Sequence, residues 1–404
     1  MIDADRIRAD FPILNRTVHG KPLVYLDNAA TSQKPTAVLE KVHDFYCTSN
    51  SNVQRGARYR SERESAAYED ARATVQAFLG AANAREIVFT RGTTDSVNVV
   101  ARALETKVHA GDEIVVTEME HHSNLIPWQM LCERNDAVLK VVPFDDRGEL
   151  QVEVLESLLT ERTRLVAVSY VSNVLGTVNP VRQVATVAHG HHIPVLVDAA
   201  QAVPRFGVDV ADIDCDFLAF SGHKMYAETG IGVLYGKEKW LEELPPVQFG
   251  GGMISSVSLQ RTTFAEPPFK FESGTPNIGG AVSLAAAVEY MRACGINQIH
   301  DHERELLDYA AKAVSEMGGT TVYGRAAERI GALSFNLEGI SAYDAAMILD
   351  KTGVAVRSGM HCAQPVMDHY GITGTIRASF AVYNTKSDID ALLSGLTRVR
   401  NLLQ

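Results

Sequence analysis

The chain has 404 residues, 46% hydrophobic and 22% charged, and its 38 Lys+Arg against 49 Asp+Glu leave a net charge of −11. Such a composition offers enough apolar surface to offset the entropy of ordering, which excludes disorder as the main state. The acidic balance, without a long basic run, argues against nucleic acid or an anionic membrane as a partner.

No run of about 18 apolar residues offers a transmembrane helix. The length predicts two domains, one large and one small. Residues Met1 to Phe11 are polar with alternating charge, unlike a signal or transit peptide, so the expected location is cytoplasmic. The five cysteines (Cys47, Cys132, Cys215, Cys294 and Cys362) are scattered and lack a CxxC pair. That spacing supports neither a disulfide framework nor a structural zinc site, and no metal is expected.

In chain order, the first clear helix is Ser61 to Leu79, with Ser61 and Glu64 as a capping box and Gly80 as its stop. Six β-rich runs follow: Glu86–Thr90, Glu113–Thr117, Val138–Val142, Leu165–Ser169, Pro194–Asp198 and Asp216–Phe220. Several are nearly continuous apolar runs, the pattern of strands buried on both faces. Helical patterns between them predict a mostly parallel α/β sheet. From Val247 to Gly280 the chain turns Gly- and Pro-rich, which marks an approximate domain boundary. A helical block from Gly280 to about Met317 comes next. Then follow a strand at Ala332–Leu337, a helix at Ala342–Lys351, a short strand at Val354–Arg357 and a terminal helix from about Ser387. This second part reads as a smaller α+β domain.

Three short segments carry chemistry. Ser221-Gly-His-Lys224 follows a predicted strand, at the sheet edge where α/β ligand sites form. A lysine desolvated there loses its proton and attacks carbonyls, whereas an exposed lysine would be inert. Asp198 ends the preceding strand; it can cap a helix or hold the protonated ring nitrogen of pyridoxal phosphate. Arg91-Gly-Thr93-Thr94-Asp95 joins a strand to a helix from Ser96 to Leu104 and offers N–H groups and hydroxyls to an anion. Their convergence at one sheet edge favours a cofactor site. His121, in Glu120-His121-His122-Ser123-Asn124, is placed to stack on a ring or move protons. A zinc pair is the competing reading, but adjacent histidines point apart and no third ligand is evident.

The whole chain resembles the group II, Suf-type cysteine desulfurase/selenocysteine lyase family of fold-type I pyridoxal-phosphate enzymes. The most specific pieces are Glu120-His-His, Val171-Ser-Asn-Val-Leu-Gly176, Asp198-Ala-Ala-Gln201, Ser221-Gly-His-Lys224, Gly274-Thr-Pro-Asn277 and Arg357-Ser-Gly-Met-His-Cys-Ala363. The resemblance implies a large cofactor-binding domain over 21–275 with a mostly parallel seven-stranded sheet. It also implies a smaller α+β domain over 276–404 that carries the nucleophilic cysteine, with residues 1–20 packed on it. Lys224 would hold pyridoxal 5'-phosphate as a Schiff base, Asp198 would pair with the ring nitrogen, Gln201 with the phenolic oxygen, and His121 would stack on the ring. Thr93 and Thr94 in the cradle, with Ser221 and His223, would bind the phosphate, and Thr275 would reach it from the second subunit of a homodimer. Asn173 and Arg377 would bind the substrate carboxylate, with Arg357 beside them. Cys362 would be the sulfur-accepting nucleophile, with Arg357 and His361 as local sources of positive charge for its thiolate.

The implied reaction converts L-cysteine to L-alanine and leaves a persulfide on Cys362, supplying sulfur for iron–sulfur cluster assembly through a SufE-like acceptor. The alternatives are a selenocysteine lyase acting on L-selenocysteine, another lyase or epimerase of the same fold, or a non-catalytic partner protein that keeps the fold; Cys362 argues against an epimerase, which needs no nucleophilic thiol, and Lys224 against a non-catalytic protein. The chain departs from the common family pattern at Gln54, Asp95, Ala227-Glu228 and Met360, none of which removes an essential catalytic group.

Overall fold

The structure, a computed structural model, describes residues 2–50 and 59–403, with side chains from residue 66 onward in the second stretch. Its centre is a seven-stranded sheet: β1 (Ile87–Thr90), β2 (Glu113–Thr117), β3 (Val138–Val142), β4 (Thr163–Ser169), β5 (Val195–Asp198), β6 (Phe217–Ser221) and β7 (Gly232–Gly236). The spatial order is β1-β7-β6-β5-β4-β2-β3. All neighbours run parallel except β7, which pairs antiparallel with both β1 and β6.

The sheet is covered on both faces because its strands are apolar at successive positions. Ile114 and Val116 enter one core cluster with Val97, Trp128 and Leu131, while Val115 enters the other with Val184 and Ala287. Each fully buried aliphatic side chain contributes about 1.5–3 kcal/mol. The strand β7 has little signal in the sequence: its Val-Leu-Tyr run is only three residues between glycines.

A second, four-stranded antiparallel sheet is formed by β8 (Thr320–Tyr323), β9 (Ala332–Leu337), β10 (Arg357–Gly359) and β11 (Thr375–Ser379), in the order β8-β9-β11-β10. On one face Leu333, Phe335 and Ile376 pack with Leu306, Leu349 and Leu396 of the covering helices. The alternate residues turn the other way: Ser334 Oγ donates to the Val174 carbonyl at 2.7 Å, and Arg377 Nη1 to that of Asn173 at 3.1 Å. Strand periodicity thus aims Arg377 at the large sheet.

Several sequence readings need correction. The helix read as Ser61–Leu79 spans Tyr59–Leu79, so Ser61 falls inside it; the proposed capping side chains of Ser61 and Glu64, like Gln54, lie outside the described residues. The helix after the anion cradle begins at Thr93 rather than Ser96. The block Gly280–Met317 is two helices, Ile278–Cys294 and Ile296–Glu316, broken at Gly295 with φ 84°. The run Val354–Arg357 splits: Val354–Ala355 pairs in parallel with Val24–Tyr25, while Arg357 opens β10. In the N-terminal segment, Arg8 bridges to Asp388 at 3.1 Å, and Phe11 packs edge-on against Tyr383, 4.5 Å between ring centroids. No described helix is long and apolar enough to cross a membrane.

Candidate active site

The C-terminal ends of β1, β2, β5 and β6 converge on one cleft of about 190 Å³ that meets the polar edge of the second sheet. Lys224 enters it from a single 3-10 turn, Gly222–Lys224, directly after β6. Burial lowers the Lys224 ammonium to about 8, against the opposing pull of Asp198. An amine so poised is a nucleophile toward a carbonyl and a base toward a carbon acid. Asp198 closes β5, the neighbouring strand, and one of its oxygens accepts the Ala200 N–H at 2.9 Å. Burial raises its carboxyl and the Lys224 charge lowers it. The Gln201 amide donates to the Ala29 carbonyl at 2.8 Å, which fixes its side chain over the same floor.

The anion cradle forms where β1 passes into the helix Thr93–Leu104. Gly92 adopts φ 150° and ψ 178°, a region open essentially to glycine alone. A Cβ there would sit 3.1 Å from Ser221 Oγ, and one on Gly232 would fall inside the Gly92 backbone. The close approach lets Thr93 N–H and Thr93 Oγ1 both reach Ser221 Oγ at 2.8 Å. Thr94 Oγ1 meets Ser123 Oγ at 2.7 Å. A helix N-terminus and four hydroxyls, those of Thr93, Thr94, Ser123 and Ser221, thus border the same cleft, a donor set that suits a phosphate. His223 stands beside it, its imidazole depressed to about 4 by burial and by the charges of Lys224 and Lys34.

His121 sits over the cleft as a neutral ring. Burial, reinforced by Lys224 and other cations, lowers it to about 3. The Ser123 N–H donates to its Nδ1 at 3.0 Å, so the ring proton resides on Nε2. Behind it, the fully buried Glu120 accepts from Thr117 Oγ1, Ser169 N–H, Ser169 Oγ and Asn124 Nδ2, all within 2.7 Å. The sequence reading recognised Glu120 only as part of a motif. It is the anchor that holds the His121 turn to the sheet.

The second sheet contributes the cationic wall. Arg377 is buried and donates to Asp27 Oδ1 at 2.9 Å and to the Asn173 carbonyl; its Nε has no protein partner. Burial lowers the guanidinium to about 10. Arg357 lies opposite on β10. Asn173 faces this wall, but its Nδ2 donates to the His361 carbonyl at 2.7 Å. Asp27 also escaped the sequence reading, because 350 residues separate it from Arg377.

Cys362 lines the same cleft on a loop between β10 and a short helix, Gln364–His369. His361 and Cys362 both take left-handed backbone, φ 54° and 57°, which costs non-glycine residues about 1–3 kcal/mol each. His361 does not supply the positive charge expected of it. Its ring is buried against Thr375 Oγ1 at 2.9 Å and lowered to about 3 by burial and the nearby arginines, so it is neutral. The cations that share the cleft with Cys362 are Lys224, Arg357 and Arg377.

The structure therefore gathers all but one of the predicted site residues in one cleft. The exception, Thr275, lies apart with Arg91 and Asn277 in a separate depression of about 280 Å³. Among the described residues, no group of three or more His, Cys, Asp or Glu is placed to hold a metal.

A buried amine, a carboxylate on the next strand, a flat neutral ring and a phosphate cradle define a pyridoxal-phosphate enzyme of the doubly covered α/β type. The chain belongs to the aminotransferase class-V family, whose profile matches residues 24–392. It is 48% identical over 400 residues to a probable cysteine desulfurase of Halalkalibacterium halodurans, covering 99% of this chain and 98% of that one. Among solved structures it resembles the cysteine desulfurase CsdA (S-sulfonic acid) of Escherichia coli, with TM-score 0.93, 40% identity and full coverage of both chains. An apo cysteine desulfurase of Thermococcus onnurineus NA1 gives TM-score 0.94 and 39% identity over 99% of each chain.

Proposed function

We propose that the chain is a cysteine desulfurase: it converts L-cysteine to L-alanine and keeps the sulfur on Cys362 as a persulfide, for iron–sulfur cluster assembly in the cytoplasm. One observation carries this reading: a cysteine shares a cleft with a depressed lysine, a buried carboxylate and two arginines. An aminotransferase or epimerase has no use for that thiol.

The donor set fits pyridoxal phosphate, with Lys224 for its carbonyl, Asp198 for the ring nitrogen, Gln201 for the phenolic oxygen and His121 for the ring face. Thr93, Thr94, Ser221 and His223 serve its phosphate. When bound, the cofactor supplies an electron sink for charge at the substrate Cα. Arg377 and Arg357, with Asn173, hold the substrate carboxylate and so set Cα against the Lys224 amine, which takes its proton. Asp198 keeps the proton on the ring nitrogen, and that positive partner offsets the burial of its own carboxylate. The Cys362 thiolate then attacks the substrate sulfur. An S–S bond forms and the Cβ–S bond breaks with its electron pair going to carbon; Cβ gains the proton that the Cys362 thiol gave up, and Lys224 returns its proton to Cα, which gives alanine. The balance is one L-cysteine and one enzyme thiol to one L-alanine and one enzyme persulfide.

We assign the active form to a homodimer with shared sites. The phosphate cradle opens sideways into a wider cleft of about 570 Å³ bordered by Gln248. Thr275 lies outside its own chain's cleft, and the hairpin of Ile254–Val257 and Thr262–Phe264 carries Val257 and Leu259 exposed, the latter completely. The larger, N-terminal part of the chain is the cofactor-binding domain and the smaller C-terminal part carries the nucleophile. A SufE-like protein is the acceptor.

Mass spectrometry after incubation with L-cysteine tests the reading. Cys362 should gain one sulfur as alanine appears, and Cys362→Ala should lose both. A persulfide on another cysteine, or full cysteine turnover by that variant, would overturn the assignment.

A further inference from the structure

We propose that His122 is a positioning residue for the Cys362 thiol, holding its loop from both sides through a backbone bond and a ring bond. This rests on the reading of Cys362 as the sulfur acceptor. The His122 N–H donates to the Cys362 carbonyl at 2.7 Å. Its ring Nε2 accepts the Gln364 N–H at 3.3 Å, so the ring proton lies on Nδ1. Cys362 and Gln364, the residues before and after Ala363, are thereby tied to one histidine.

The loop needs such ties. Its two left-handed residues sit in a sparsely populated backbone region and persist only where surroundings over-determine them. On the N-terminal side the surroundings supply Asn173, bonded to the His361 carbonyl, and Thr375, bonded to the His361 ring. Ala363, Val366 and Met367 are buried against Phe144, Val174 and Leu175 on the C-terminal side. Between these anchors, the carbonyl of Cys362 and the first N–H of the following helix both go to His122. That N–H is one of the groups a helix leaves unpaired at its start.

His122 does not line the cleft that holds Lys224; its ring faces a neighbouring surface depression with Ile126 and Met130. It acts through the loop and not on reacting atoms. The run Glu120-His121-His122 thus divides its labour: Glu120 fastens the turn to the sheet, His121 faces the cleft, and His122 reaches across to the second sheet's loop.

The test uses the holoenzyme and two variants, His122→Ala and His122→Gln; the latter keeps an acceptor where Nε2 stood. Alkylation of Cys362 by iodoacetamide, followed on its peptide by mass spectrometry, reads the loop independently of turnover. His122→Ala should alkylate several-fold faster and lose about ten- to hundredfold in kcat for L-cysteine, the scale expected of a displaced reacting group. Its KM and cofactor absorbance should stay unchanged, and His122→Gln should recover most of both losses. Wild-type alkylation and kcat in His122→Ala would overturn the proposal, as would loss of cofactor absorbance in that variant or failure of His122→Gln to recover. If Cys362→Ala itself retains cysteine turnover, the desulfurase reading falls, while the alkylation rates still decide whether His122 holds the loop.

Discussion

Arg357 and Arg377 stand directly opposite each other on adjacent antiparallel strands, and both guanidinium groups line the same cleft. Like charges in opposed register repel. Arg377 has a carboxylate partner in Asp27, 2.9 Å away, and the charge of Arg357 helps lower its pKa. The pair is a wall with positive charge in excess, suited to an anion that arrives and leaves.

On the proposed function, that anion is the carboxylate of the amino-acid substrate. Arg377→Ala should lower kcat/KM for L-cysteine about 10- to 100-fold, the worth of a hydrogen bond to a charged group, with most of the change in KM. Cysteamine, which lacks the carboxylate, should be a poor substrate of the native enzyme and be penalised far less by the variant. Steady-state alanine or product release measures both.

Lys224 sets a pH dependence of cofactor capture. Only its neutral amine attacks a carbonyl, and its ammonium is lowered to about 8. Reconstitution of the apoprotein with pyridoxal phosphate should speed up as pH rises toward 8 and level off above it. His121 and His223, lowered to about 3 and 4, stay neutral across that window and add no inflection. Native protein should be yellow, and Lys224→Ala should lose turnover. Stopped-flow absorbance gives the profile; a rate that falls through this range would contradict the assignment.

Glu120→Gln should cost about 1–3 kcal/mol of stability, because the amide end of Gln would face donors that cannot turn away. The Ser169 N–H and Asn124 Nδ2 are the fixed donors, one on each carboxylate oxygen. Urea unfolding of the two holoproteins measures the loss. Turnover should fall with it, since the His121 turn loses its anchor.

The Cys362 loop predicts a dependence on a protein acceptor. Two residues separate Cys362 from the end of β10, and one from the helix Gln364–His369. At about 3.5 Å per residue such a tether gives the half-buried Cys362 little reach beyond the cleft. A SufE-like protein should therefore accelerate cysteine turnover strongly, and small thiols should do so weakly. Equal acceleration by both, measured as alanine release, would refute the shielding.

The proposed homodimer makes a separate prediction. Thr275→Ala should weaken cofactor retention although Thr275 lies outside its own chain's cleft. Mixing that variant with Lys224→Ala should restore part of the activity, as hybrid dimers form one intact site. Sedimentation of a fully active monomer at assay concentration would exclude shared sites.

Much of this was legible in the sequence because the chemistry follows strands that are plainly apolar. Lys224, Asp198 and Thr93 each come within three residues of the end of a strand, so strand runs and short motifs located the sheet edge. The strand β11 was missed for the opposite reason. Its Thr375, Arg377 and Ser379 face the site and break the apolar run, although all are buried. The Asp27–Arg377 pair and the ties of His122 to residues 362 and 364 join distant stretches, and local pattern carries no trace of them. His361 misled in another way: it stands next to Cys362 and four residues after Arg357, and only its burial in the fold shows that it is uncharged.

The contact of Gly92 with Gly232 has a consequence for how this protein can vary. Both sides of the contact are main chain, so no rotamer change elsewhere can make room for a methyl group. An alanine at position 232 would push the β1 turn at Gly92 away from Ser221 and spoil the proposed phosphate seat. Random libraries should therefore yield, at this position, chains that express and purify normally but come off the column colourless.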